Sequence, residues 1–118
     1  MQGRISLVGM EFYAYHGFYE SERQAGNYFE VDAHADLLPS MPENSDRISN
    51  TFNYEMMYAI VLRVMQESHQ LLETLCHLIA TEIKQADSRI LKVIVTVKKK
   101  QPPLGGKVAY SAYTLTLD

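Results

Sequence analysis

The chain has 118 residues, 11 Lys and Arg against 14 Asp and Glu, a formal charge of −3 and 47% hydrophobic residues. That length suits one globular domain, 1–118, whose core hides only about two-thirds of the unfolded surface, so further copies are expected to cover the remainder. The acidic balance speaks against duplex nucleic acid or an anionic membrane as the main partner, since either would select a basic face, and turns attention to small molecules.

The one cysteine, Cys76, lies in an apolar helical stripe and reads as core, which suits a reducing cytoplasm. The opening residues have no apolar signal core, and the run from Met56 to Leu62 is far short of the ~20 residues that span a bilayer. Neither a repeat nor a low-complexity tract is present, and the polar stretch from Pro39 to Asn50 reads as a connecting loop.

In chain order, Arg4 to Tyr15 is rich in aromatic and β-branched residues and predicts a strand made irregular by Gly9. A loop with His16, Gly17 and Gly26 follows. Phe29, Val31, Ala33, Ala35 and Leu37 then alternate with Glu30, Asp32, His34 and Asp36, the period-two pattern of a half-buried strand. From Tyr54 the period lengthens: Met57, Ile60, Val61, Val64 and Met65 predict a helix to about Glu67, with Asn53 as its N-cap. Leu72, Leu75, Cys76, Ile79 and Ile83 repeat the stripe after a short break, which predicts a helical hairpin. Ile90 to Lys99 returns to period two, Gln101 to Gly106 turns, and Lys107 to Leu117 forms the last strand.

The order ββααββ predicts an α+β fold, a four-stranded antiparallel sheet with both helices on one face. Ile94 and Thr96 on the opposite face, together with the open sheet edges, would then need covering by copies joined edge to edge.

Among three consecutive lysines, Lys99 alone continues the face of Val93, Val95 and Val97. A solvated basic run is the commoner explanation of such residues; a partly desolvated amine usable as acid or base is the sharper one. Glu73 stands in the first turn of the second helix beside Leu71 and Leu72, where the helix dipole favours its ionised form. A carboxylate so placed can accept two hydrogen bonds from an amidine-like edge, as a guanidine-bearing heterocycle offers. Glu22, after the His16-Gly17 turn, and Tyr54, after Phe52 and Asn53, are ordinary when taken singly. Tyr13, Tyr15, His16, Tyr19 and Tyr28 could form either a stacking platform or an oligomer interface. No Cys/His set has zinc-like spacing, no Gly-rich loop opens a helix, and no Ser-centred elbow appears.

Five segments, Met10-x-Phe12-Tyr13-x-Tyr15-His16-Gly17, Glu22 with Gly26-x-x-Phe29-x-Val31-Asp32, Asn50-Thr51-x-Asn53-Tyr54, Leu71-Leu72-Glu73, and Lys99 followed after two residues by Pro102-Pro103, together resemble the dihydroneopterin aldolases over nearly the whole chain. The resemblance implies the tunnelling fold, assembled as ring tetramers stacked into octamers with closed barrels of strands. It also implies retro-aldol cleavage of 7,8-dihydroneopterin in folate biosynthesis, with side-chain epimerisation as an accompanying reaction and with neither cofactor, metal nor Schiff base.

By position, Glu73 with the backbone of Leu72 would bind the pyrimidine edge. Lys99 would move the proton of the side-chain hydroxyl through water, and Glu22 would orient the diol and the lysine. Tyr54, presented by a neighbouring subunit, would assist proton transfer at the enol-like intermediate, with Phe52 and Asn53 lining the same wall. The last strand, closing on Thr116-Leu117-Asp118, lacks the basic residue many members carry there. The competing expectations are a dihydroneopterin triphosphate epimerase, disfavoured by the absence of a dedicated basic cluster, and a non-catalytic pterin-binding oligomer.

Overall fold

A computed structural model describes residues 2–38 and 52–118. The elements run β1 (Gly3–Ala14), α1 (Glu20–Ala25), β2 (Asn27–Leu37), α2 (Tyr54–Gln66), α3 (Leu72–Ala86), β3 (Ile90–Lys100) and β4 (Tyr110–Leu117). The polar segment from Pro39 to Asn50 and the Asn50-Thr51 part of the third motif lie outside the described residues.

The strands pair antiparallel in the order β1-β2-β3-β4. Alternation does the sorting: Phe29, Val31, Ala33, Ala35, Val93, Val95 and Val97 are fully or almost fully buried on one face. Against that face α2 lies over β1, and α3 lies over β3 and β4. The helices contribute Met57, Val61, Val64, Leu75, Cys76, Ile79 and Ile83 to the same core, as expected for stripes repeating every three to four residues. The irregularity expected at Gly9 is a bulge: the β1–β2 register shifts between Leu7 and Met10, Gly9 takes φ +76°, and its N–H donates to Asp32 Oδ1 at 2.7 Å. A left-handed backbone at that point is one that glycine adopts at no steric cost.

The opposite face carries Ile94 and Thr96, the residues expected to need covering by further copies. Both are only partly exposed, Thr96 bonds Thr114, and around them charges pair across the strands. Arg4 bonds Asp36, while Lys98 bonds Glu30 and lies 3.5 Å from Asp32. Within one chain, ion pairs lace this face across the strands.

Two differences from expectation concern boundaries. The last strand begins at Tyr110 rather than Lys107, and the loop expected after His16-Gly17 contains α1. That helix buries no residue. It is held at its ends, by the Tyr19 N–H on Glu22 Oε1 at 3.3 Å and by Arg23, whose Nη1 donates to the carbonyls of Gly17 and Phe18 at 2.8 Å each.

Candidate active site

Lys99 stands near the end of β3, level with Phe29 of β2 and Ser111 of β4, on the helix-covered face. Its Nζ donates to Glu22 Oε2 at 2.9 Å, and the two side chains are only 15% and 14% exposed. α1 therefore has a purpose its missing apolar stripe conceals: it delivers a carboxylate to the one lysine of the run that faces inward. Lys98, one residue earlier, points to the other face, where its hydrogen bond to Glu30 holds the ammonium above the usual lysine range.

Gly17 secures the carboxylate. A Cβ on Gly17 would stand 2.5 Å from Glu22 Cβ and 3.0 Å from its Oε1. Any side chain there would push Glu22 off the lysine. The same turn is tied to the connection between α2 and α3: Gly17 N–H donates to His69 O at 3.0 Å, Ser68 Oγ donates to Tyr15 O, and His16 bridges Met65 O and His69 N–H at 3.0 and 3.1 Å. Leu72 and Glu73, just beyond His69, consequently start α3 at the same end of the molecule as Glu22 and Lys99. Glu73 is exposed in the first turn of α3, and no described residue pairs with it. Leu72 is half-buried against the core.

Tyr54 is elsewhere. It opens α2 eleven residues before Met65, the residue that His16 bonds, so about 16 Å of helix at 1.5 Å per residue separates it from the Lys99 end of its own chain. The residue is 60% exposed. The two residues before it have other duties: Phe52 is 3% exposed within the core, and Asn53 caps α2 by accepting the Glu55 N–H at 2.9 Å.

Glu22 borders a cavity of about 240 Å³, walled also by Gly26, Asn27, Gln101 and Pro103 among others, while Lys99 is not part of its wall. This is smaller than the roughly 300–1,000 Å³ of an ordinary small-molecule pocket. A larger crevice of about 800 Å³, walled by Tyr28, Lys100 and Lys107, shares Asn27 and Gln101 with it but includes neither Lys99 nor Glu22. Of the pair, Glu22 alone borders the smaller space.

Sequence reasoning assigned no role to Asn27, whose Nδ2 donates to Lys100 O at 2.7 Å, or to Gln101, which takes φ +45° where β3 leaves its hairpin. The adjoining Pro102-Pro103 and Gly105-Gly106 are the sequence signals for that turn. Cys76 is core as expected, and burial pushes its thiol up to about 12.

The fold and this pair define a class: a ββααββ subunit with a four-stranded antiparallel sheet that holds an enclosed lysine–carboxylate pair. The family model described as dihydroneopterin aldolase matches residues 5–116. A dihydroneopterin aldolase of Bacillus subtilis is 32% identical over 114 residues, covering 96% of this chain and 95% of that protein. Among solved structures, E. coli dihydroneopterin aldolase in complex with neopterin superposes with a TM-score of 0.88 at 12% identity, covering 98% of this chain and 99% of the other. A Burkholderia dihydroneopterin aldolase bound to guanine gives 0.78 at 19% identity, covering 98% and 90%. The chain belongs to the dihydroneopterin aldolase family.

Proposed function

We propose that the chain, acting as one domain over 1–118, performs the aldolase step of its family in folate synthesis: 7,8-dihydroneopterin is split into 6-hydroxymethyl-7,8-dihydropterin and glycolaldehyde. The observation that carries this reading is the Lys99–Glu22 pair at 2.9 Å, enclosed at the end where Glu73 begins α3, with Glu22 bordering a cavity. In the pair Lys99 Nζ donates to Glu22 Oε2. When the substrate's diol competes for Glu22, the pair can take up the proton of the hydroxyl on the second side-chain carbon through water.

As that hydroxyl becomes a carbonyl, the bond between the first and second side-chain carbons breaks and glycolaldehyde leaves. The electron pair moves into the pterin's conjugated C=N, leaving an enol-like intermediate. Delivery of a proton to the first side-chain carbon restores the C=N and completes the hydroxymethyl product, so one proton has moved from oxygen to carbon overall. Because the ring stores the electrons, the protein's tasks are to orient the ring and to move protons. Glu73, with the Leu72 backbone, takes the orienting task, accepting the amino and ring N–H groups of the pyrimidine.

In this reading Tyr54 assists proton transfer at the intermediate from a neighbouring subunit, with the Phe52-Asn53 backbone forming the adjacent wall, within a ring tetramer or an octamer. Supporting it are the 16 Å of helix between Tyr54 and its own chain's lysine, the small size of the cavity, and the exposure of all eight tyrosines by at least a third. Aromatics exposed in such numbers are characteristic of interaction surfaces. The cytoplasm is the compartment that suits a lone, buried, free thiol, and no helix among the described residues is long and apolar enough to cross a membrane.

The test is incubation with 7,8-dihydroneopterin while glycolaldehyde is assayed. Release is the expected result. Side-chain inversion without release would make the chain an epimerase, and binding with neither reaction would make it a non-catalytic pterin binder.

A further inference from the structure

Glu73 and the Glu22–Lys99 pair must hold opposite parts of one substrate, yet they ride on different elements. Glu22 is on α1, Lys99 on β3 and Glu73 on the first turn of α3. The segments leading to α1 and to α3 are joined at His16, which is 1% exposed.

The partners of His16 determine its state. Nδ1 faces the backbone N–H of His69, which can only donate, and Nε2 faces the carbonyl of Met65, which can only accept. The ring is therefore neutral with its hydrogen on Nε2. Burial acts in the same direction and lowers the imidazole to about 4. The ring packs edge-on against Phe29, at 5.1 Å between centroids, and lies nearly parallel to His69 at 6.0 Å. Phe29 is the β2 residue level with Lys99. Next in the chain, Gly17 touches Glu22 and bonds His69 O. One imidazole thus contacts a neighbour of the lysine, adjoins the glycine that seats the carboxylate, and bonds the turn from which Glu73 departs.

We propose that His16 is a positioning residue for the aldol cleavage, its neutral ring setting the spacing between the ring-binding carboxylate of Glu73 and the proton-moving pair of Glu22 and Lys99. This rests on the site reading above. Its consequence is specific: loss of the bond to His69 N–H leaves the pterin ring held by Glu73 while the side chain drifts from Lys99. Turnover then suffers and ring affinity does not, because a misplacement of about 1 Å at the reacting bond can cost roughly a hundredfold in rate.

The test uses the full chain with His16→Phe, which fills the space without polar atoms, and His16→Asn, whose amide oxygen overlays Nδ1 and can accept from His69 N–H. Two quantities are measured: affinity for pterin without a side chain, and kcat on 7,8-dihydroneopterin per pterin-binding site counted by titration. Expected are pterin affinities within about twofold of wild type, a fall in kcat per site of about tenfold or more in His16→Phe, and recovery to within about threefold in His16→Asn. A residue that merely fills the core would rank the variants by packing, with Phe above Asn.

Turnover near wild type in His16→Phe, turnover in His16→Asn as low as in His16→Phe, or pterin affinity falling in step with kcat overturns the proposal. If His16→Phe yields no pterin-binding sites, His16→Gln replaces it. That side chain reaches Met65 O but lacks the acceptor at the Nδ1 position, and the same fall in kcat is expected. Lys99→Ala and Glu73→Gln run alongside. Should the first keep turnover or the second keep pterin affinity, the site reading fails and takes the proposal with it; should both behave as expected while the His16 variants match wild type, only the His16 inference fails.

Discussion

The two ends of α2 are built differently. At its C-terminal end Met65 O is bonded by His16, Ser68 bonds Tyr15, and His69 exchanges bonds with both His16 and Gly17. At its N-terminal end Tyr54, Met56 and Tyr58 are 60%, 49% and 41% exposed, and Asn53 closes only its own helix. One end is knitted to the rest of its chain. The other presents side chains outward. In the function proposed above, the lysine, the carboxylate and the ring anchor are held at the knitted end, and a phenol at the presenting end serves another copy.

The sharpest way to break this contrast is at the knitted end. Lys99→Ala should lower turnover by about 10²–10⁴-fold, the usual range for a positioned acid or base. Lys98→Ala should stay within a few-fold, because Lys98 bonds Glu30 on the opposite sheet face. Steady-state kinetics on the two variants decides. An inactive Lys98→Ala with an active Lys99→Ala would put the chemistry on the wrong face for α1 to serve it.

The knitting itself should fail in acid. His16 is lowered from 6.5 to about 4, so below pH 6.5 the unfolded chain binds a proton that the fold refuses. Stability is then full above about 6.5, declines as the pH falls toward 4, and gains no further loss from His16 below that. At about 1.4 kcal/mol per pKa unit the decline is on the order of 3 kcal/mol. Asp36 and Asp87, held below the usual carboxylate range by hydrogen bonds from Arg4 and Arg89, lose their contributions only at lower pH. Urea midpoints between pH 7.5 and 4.5 should therefore fall more steeply for wild type than for His16→Asn, and equal slopes would remove His16 from the account.

How much of this could be read beforehand follows from the range of the interactions. The element order and the inward aim of Lys99 depend on residues two to four positions apart, so alternation and helical stripes revealed them. α1 was missed because it buries nothing and is made by end bonds involving Glu22 and Arg23. The role of His16 was hidden for another reason: its partners, Met65 and His69, are 49 and 53 residues away. Burial of Ile94 and Thr96 was expected from their type alone, whereas the cross-strand pairing of Lys98 and Arg4 with acids needs the strand register to be known.

A smaller effect is expected at Glu73, which is exposed and lies outside the knitted contacts. Glu73→Gln keeps the shape but replaces one acceptor oxygen by a donor, so one of two hydrogen bonds to the pyrimidine edge becomes a repulsion. Pterin affinity should weaken by roughly 10- to 100-fold, corresponding to about 1.4–3 kcal/mol for a bond to a charged group, with the folding midpoint unchanged. Titration by pterin fluorescence measures it, and an unaltered affinity would take Glu73 out of the site.

The presenting end is tested by mixing. If each site draws its lysine from one chain and its tyrosine from the next, neither Lys99→Ala nor Tyr54→Ala oligomers contain a complete site. Differently tagged chains of the two variants, unfolded together in equal amounts and refolded, should assemble at random. A site is whole when its lysine comes from a Tyr54→Ala chain and its tyrosine from a Lys99→Ala chain, each with a probability of about one half. Activity should therefore return to about a quarter of the wild-type level in a closed ring, while either variant refolded alone stays inactive. Co-purification of both tags establishes that mixed oligomers formed. Mixed oligomers without recovered activity would mean that the phenol and the amine serve one chain's site, which would require α2 to abandon the roughly 16 Å separation its length imposes.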